Sequence, residues 1–136
     1  MPLDFDPIAE ARRNWRANQW GADDAMVAAT SITRAHQILL GRINEALAPL
    51  DLSFSRLDAL GRLACSRTGE LPLGNMGDRL QVHPASITNT IVRLERDGLV
   101  ERLRHPTDRR TTLARITDSG RAAAQEGAAR LADIEF

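Results

Sequence analysis

Apolar residues recur every three or four positions through the first half of the chain, which is the period of a helix with one apolar face. The longest such stripe predicts a helix over residues 23–47, closed by Pro49. Its apolar members include Val27, Ile32, Ala35, Ile38, Leu39, Ile43 and Leu47.

Two shorter helices are predicted on either side of the long one. The first begins at Pro7 after the capping Asp6 and ends by Gly21. The other begins after Ser53, a good N-cap, and ends at 68–69. Its inward positions are Phe54, Leu57, Leu60, Leu63 and Ala64.

The middle of the chain predicts a helix-turn-helix. Residues 73–80 form the first helix, residues 81–83 the turn, and residues 84–97 the second helix. Pro84 suits the first helical position and Gly98 suits the stop. The second helix buries one face through Ile87, Ile91 and Leu94.

A hairpin and a last helix follow. Residues 99–104 and 111–116 are strand-like, and the polar loop 105–110 joins them. Residues 71–72 could pair with this hairpin as a third strand. Thr117 caps a final helix that runs to about Asp133. The fold class is mainly α with a small β-hairpin wing, a winged helix-turn-helix with flanking N- and C-terminal helices. Such a fold places one helix and one loop in adjacent grooves of duplex DNA.

The charge distribution agrees with this interpretation, although the formal net charge is zero. Residues 81–116 carry seven Arg and four acids, whereas residues 1–51 and 117–136 are each acidic by two charges. A protein that binds DNA through its centre and itself through its ends would have this pattern.

The exposed face of the helix at residues 84–97 has side chains that can read base edges. Asn pairs with adenine, Ser and Thr can donate or accept a hydrogen bond, and the methyl groups of Ala or Thr contact the thymine methyl. The candidates are Ala85, Ser86, Thr88, Asn89 and Arg93, the last for a phosphate or a base. Taken alone, this helix is better explained by an ordinary solvated face, and the adjoining hairpin reverses that preference.

The hairpin is unusually rich in arginine, with Arg102, Arg104, Arg109, Arg110 and Arg115 inside fourteen residues. A narrow minor groove attracts an inserted Arg because its potential is strongly negative. We therefore expect Arg104, Arg109 and Arg110 to contact DNA. Asp108 would hold either a neighbouring guanidinium or the turn itself.

The segment DRRTTLARIT at residues 108–117 resembles the wing signature of the MarR family of bacterial regulators. LERDGLV at 94–100 and LSFSRLDAL at 52–60 resemble two further parts of that family. The resemblance implies a single domain over 1–136, with dimerisation helices at 1–50 and 118–136 and a DNA-binding lobe at 51–117. It gives Arg110 the minor-groove position and Asp108 the role of its brace.

The chain departs from the family in two places. His83 stands where a Ser or Thr cap is common. The family usually continues into a last interlocking helix, so either this chain is shortened or its dimer uses residues 8–47 and the final helix.

The resemblance also implies a site for a small aromatic or amphipathic acid. Candidate lining residues are Trp15, Trp20, Ile32, His36, Arg42, Phe54 and Leu57. For each of them, ordinary packing is the competing interpretation.

Other chemistry is weakly indicated. A lone helical cysteine is typical of a small buried side chain, and we favour that for Cys65 over a redox sensor. No residues have metal-ligand spacing, so we expect no metal and no cofactor. No secretory signal or membrane span is predicted, and one cysteine suits the cytoplasm.

The sequence thus predicts a cytoplasmic, homodimeric, DNA-binding repressor that recognises a pseudo-palindrome and is relieved by a small molecule. The alternative is a winged-helix protein–protein interaction module without DNA binding. An enzyme is not expected.

Overall fold

The computed structural model describes residues 2–135. Its helices are α1 (Pro7–Ala17), α2 (Asp23–Leu47), α3 (Phe54–Ala64), α4 (Leu73–Leu80), α5 (Pro84–Arg96) and α6 (Asp118–Asp133), with a 3-10 turn at Ala48–Leu50. Its strands are β1 (Glu70–Pro72), β2 (Val100–Arg104) and β3 (Thr112–Ile116). The mainly helical fold with a small hairpin is therefore confirmed. The chain forms two compact units, which divide after Arg42.

The first unit holds α1 and most of α2. The Asp6 carboxylate caps α1 by accepting the amide protons of Ile8 and Ala9. The indole N–H of Trp15 donates to the carbonyl of Gly21 at 2.9 Å, which fixes the turn after α1. No side chain of residues 2–42 is buried.

The second unit contains the hydrophobic core. The apolar faces of α3, α5 and α6 pack together with the end of α2 and the sheet. The largest fully buried side chains are Leu47, Leu60, Leu63, Met76, Ile91, Leu94 and Val100. The predicted inward stripe of α5 is confirmed, because Ile87, Ile91 and Leu94 are all buried.

The sheet has the strand order β1-β3-β2, and both pairs are antiparallel. Leu71 lies opposite Ala114, so the extended segment at residues 71–72 does pair with the hairpin. Leu103 lies opposite Leu113 across the wing. Since β3 is central, β2 is an edge strand.

The end of α3 differs from the prediction. The helix stops at Ala64, before Thr68, because both the amide and the hydroxyl of Ser66 bond back to the carbonyl of Leu63. Cys65 is consequently the C-cap of α3, and it is exposed. The prediction that Cys65 is buried was wrong.

None of the helices within residues 2–135 is long and apolar enough to span a bilayer.

Candidate nucleic-acid interface

The turn at the tip of the wing is organised by its own polar side chains. Asp108 Oδ1 accepts the amide proton of Arg110 at 3.0 Å, and Oδ2 accepts the hydroxyl of Thr111 at 2.7 Å. These bonds, the Thr111 hydroxyl foremost, lower the pKa of Asp108. His105 Nδ1 accepts the amide protons of Thr107 and Asp108 at 3.2 and 3.1 Å. The loop is therefore a structured turn.

The arginines of the hairpin fall into two groups. Arg102 pairs with Glu95 at 2.9 Å, and Arg115 pairs with Glu70 at 2.9 Å. The other group has no carboxylate partner within the described part of the chain. Its members are Arg104, Arg109 and Arg110, all of them exposed. The wing thus presents three uncompensated cations, which lie at and beside its tip.

Glu95 joins the wing to α5. Its Oε2 accepts the backbone amide proton of Arg102 at 3.0 Å, and its Oε1 accepts the guanidinium Nε of the same residue at 3.0 Å. The Arg102 guanidinium bond, followed by its amide bond, lowers the pKa of Glu95. Because β2 is an edge strand, this carboxylate also satisfies a backbone group that no strand covers.

The first turn of α5 is capped by an imidazole. His83 Nδ1 accepts the amide proton of Ala85 at 3.1 Å, which is the role a Ser or Thr oxygen would otherwise take. Beyond this cap, the predicted base-reading residues Ala85, Ser86, Thr88 and Asn89 are all exposed. The structure therefore brings four of the five α5 candidates to one open surface.

The fifth candidate, Arg93, has partners of its own. Its Nε donates to Asp97 Oδ2 at 3.1 Å, and its terminal nitrogen lies 3.4 Å from Asp51 Oδ2. The hydrogen bond to Asp97 and the fields of Asp97 and Asp51 raise the pKa of Arg93. Its charge is thus already balanced.

A groove of about 660 Å³ separates the wing from the helices. Its walls come from α4, α5 and the hairpin and include Asn75, Asp78, Thr88, His105, Arg110 and Thr112. The guanidinium of Arg110, the carboxylates of Asp78 and Asp108, and amide and hydroxyl groups therefore line an open channel beside α5.

Comparison with known proteins identifies the family of this arrangement. The MarR family model matches residues 63–112. A crystal structure of Sco5413, a MarR family transcriptional regulator from Streptomyces coelicolor, is 45% identical, with a TM-score of 0.78 over 83% of this chain and 78% of that one. The chain belongs to the MarR family.

A second structure similar to this MarR family chain is a mutant MarR from E. coli complexed with operator DNA. It is 25% identical, with a TM-score of 0.73 over 80% of this chain and 76% of that one. Among curated relatives, the HTH-type transcriptional regulator MhqR of Bacillus subtilis is 42% identical over 52 residues, 38% of this chain. The match spans 36% of MhqR, so the chain matches only about a third of that relative's length. These relatives are regulators, not enzymes.

The predicted effector residues of this MarR family chain are not gathered within either unit. Trp15 and Trp20 meet edge to face at 5.0 Å between ring centroids. Ile32, His36 and Arg42 are exposed along α2. In the second unit, Phe54 is half-buried and Leu57 is in the core. The effector site stays a prediction.

The structure also shows residues of this MarR family chain that the sequence prediction missed. Glu95 links helix and wing, and Asp51 reaches Arg93 across 42 residues of sequence. The sequence did offer a signal for the Glu95–Arg102 pair, because Glu95 lies only seven residues before Arg102, on the adjoining helix. No triad of His, Cys, Asp or Glu within residues 2–135 could hold a metal ion.

Proposed function

We propose that this MarR family chain binds duplex DNA sequence-specifically, with α5 in a major groove and Arg110 in the adjacent minor groove. The proposal depends on one observation. Arginines without carboxylate partners on the wing and an exposed face with polar side chains on α5 occur in the same unit. The Glu95–Arg102 contact fixes the distance between the two elements. A defined distance between helix and wing allows the two elements to contact adjacent grooves together.

The distribution of ion pairs among the hairpin arginines supports this function. Arg102 and Arg115, on the strands, have carboxylate partners, whereas Arg104, Arg109 and Arg110 have none among the described residues. A merely solubilising loop has no need for this separation. Three cations at one end of a hairpin are placed to neutralise phosphates and to enter a narrow groove.

The test begins by selecting bound duplexes from a random library with the full-length chain. Binding of the selected site is then measured by fluorescence anisotropy. Arg110→Ala should weaken binding by about 1–3 kcal/mol. Arg115→Ala is the matched control, because it removes an arginine from the same hairpin whose charge is already paired. Equal losses in both variants would contradict the groove insertion. If no duplex is selected, a protein-interaction module becomes the better hypothesis.

We further propose that the chain works as a homodimer on a pseudo-palindromic operator. Residues 2–42 bury no side chain, and Ile32 and Leu39, two turns apart on one face of α2, are 71% and 44% exposed. A segment without a core of its own needs a partner surface. A second copy supplies that surface and places two recognition helices about 34 Å apart.

The dimer is tested by light scattering of the eluting full-length protein. Ile32→Asp with Leu39→Asp should convert a dimer to a monomer. Val82→Asp is the control, because Val82 is 39% exposed, close to the 44% of Leu39, but lies in the helix-turn-helix. A wild-type monomer at micromolar concentration would contradict the proposal.

Finally, we propose a cytoplasmic repressor that a small aromatic or amphipathic acid releases from DNA. The Trp15–Trp20 pair supports an aromatic ligand, since Trp20 is 57% exposed and meets Trp15 edge to face. Hydroxybenzoic acids should quench tryptophan fluorescence and weaken binding to the selected site. A promoter carrying that site should be silenced by the protein; unchanged transcription would contradict repression.

A further inference from the structure

A line of exposed residues along α5 begins with Ala85, Asn89 and Val92. These positions are spaced i, i+4 and i+7, so they lie on one face, opposite the buried Ile87, Ile91 and Leu94. Only the middle member has a polar side chain. This line therefore presents one amide between two aliphatic groups; Arg96 continues it at the end of the helix, and the hydroxyl side chains of Ser86 and Thr88 are exposed beside it.

Several neighbouring polar side chains of α5 have partners inside the protein. The hydroxyls of Thr88 and Thr90 donate to the carbonyls of Pro84 and Ser86, both at 3.0 Å. Arg93 is held by Asp97 and Asp51. An arginine bonded to guanine is the commonest specific contact in a major groove, and α5 has no unpaired arginine before its last residue, Arg96.

Val92 is the unexpected member of this line. Its side chain is 42% exposed. Exposure of an aliphatic side chain to water is unfavourable, so contact with another apolar group would lower its free energy. In the major groove, thymine alone presents a methyl group, and aliphatic side chains read it by contact. Asn89, one turn earlier, has the amide geometry that pairs with adenine N6 and N7.

We propose that Val92 is a specificity-determining residue that reads a thymine methyl group next to the adenine recognised by Asn89. The inference rests on the DNA-binding function proposed above. Ala85 and Val92 lie about 10 Å apart along the helix axis, which spans about three base-pair steps. The half-site read by α5 therefore has a thymine within two pairs of the adenine.

The experiment uses the duplex selected by the full-length chain. Asn89→Ala first locates the adenine, as the position whose preference is lost. Each nearby thymine of one half-site is then replaced singly by deoxyuridine, which removes only the methyl group. One such replacement should weaken binding of the wild type about fourfold. Val92→Ala should lose a similar factor on the thymine site and nothing more on the deoxyuridine site.

The controls distinguish a loss of thymine recognition from a loss of folding stability. Val82→Ala alters an equally exposed valine outside α5 and should keep the full deoxyuridine effect. Val92→Thr keeps the shape and one methyl and should lie between wild type and Val92→Ala. Thermal unfolding midpoints of all variants should agree, since these side chains are exposed.

The proposal is overturned if no deoxyuridine replacement weakens wild-type binding, or if the effect persists in Val92→Ala. It is also overturned if the pairs beside the adenine are G·C. In each of these cases a duplex is still selected and bound, so the DNA-binding function itself survives. A chain that selects no duplex overturns both.

Discussion

Asp108 holds Arg110 by its backbone and leaves its guanidinium without a partner among the described residues. The carboxylate accepts the Arg110 amide proton at 3.0 Å and also the Thr111 hydroxyl. Of the two roles expected for Asp108, the structure therefore shows the bracing of the turn. This arrangement fixes where the arginine leaves the hairpin without using up its charge.

Replacing Asp108 separates its bracing role from its charge. Asp108→Ala removes both acceptors, so the turn loosens and binding to the selected duplex should weaken several-fold. Asp108→Asn keeps one carbonyl oxygen for the Arg110 amide and deletes a negative charge near the DNA. Its binding should equal or exceed that of the wild type, as measured by anisotropy at fixed salt.

If Asp108 acted only by repelling phosphate, both variants would bind more tightly than the wild type. Amide hydrogen exchange of Arg110 provides a second readout. It should speed up in Asp108→Ala and change little in Asp108→Asn.

Acid should weaken the wing and its link to α5, because Asp108 and Glu95 make their contacts as ionised carboxylates. The pKa values of Asp108 and Glu95 are lowered by bonds made in the folded state, so their stabilisation is complete above the ordinary carboxyl pKa of about 4. It is lost as pH falls through the lowered values. The thermal midpoint should therefore drop between about pH 4 and pH 2, and Glu95→Gln should flatten that dependence. An equally steep profile in Glu95→Gln would assign the acid sensitivity to other carboxylates.

Local sequence rules predicted the elements well because each has its own start and stop signals. Ser53 and Thr117 cap α3 and α6 as expected, and Gly98 ends the α5 region with a positive φ of 74°. The end of α3 escaped prediction because Ser66 closes the helix through its own hydroxyl, a bond that competes with Thr68-Gly69 as a stop.

The residues of the candidate site could be predicted from the sequence, but their ion pairs and hydrogen bonds could not. The exposed face of α5 and the arginine wing follow from periodicity and charge. Which arginine is neutralised depends on tertiary contacts, since Asp51 is far from Arg93 in sequence. The N-cap formed by His83 was not predicted either, because imidazole is an uncommon N-cap.

Arg93 should matter less to DNA binding than Arg110. Its charge is shared with Asp97 and Asp51, so few counterions are released through it when DNA binds. Arg93→Ala should leave the slope of log affinity against log salt unchanged, whereas Arg110→Ala should reduce it by about one. Asp51→Ala, which removes one of the two partners, should steepen the slope. Equal slope changes in Arg93→Ala and Arg110→Ala would place Arg93 on a phosphate after all.

The junction of wing and α6 depends on a glycine. A Cβ at Gly120 would collide with the carbonyl oxygen of Leu99 and lie 2.8 Å from Ile116 Cγ1. The same turn is fixed by Thr117, whose hydroxyl donates to Gly98 at 2.8 Å and accepts the Gly120 amide proton at 3.0 Å. Backbone must move to admit a methyl group here.

Gly120→Ala should therefore destabilise the fold by about 1–3 kcal/mol, measured by urea unfolding. Gly61→Ala is the matched control, because Gly61 is also helical and a Cβ there meets nothing within 4 Å. That variant should stabilise the protein by about 0.5–1 kcal/mol, since alanine loses less backbone entropy in a helix. If both substitutions shifted stability in the same direction, close packing of α6 against Leu99 would not be what requires glycine at position 120.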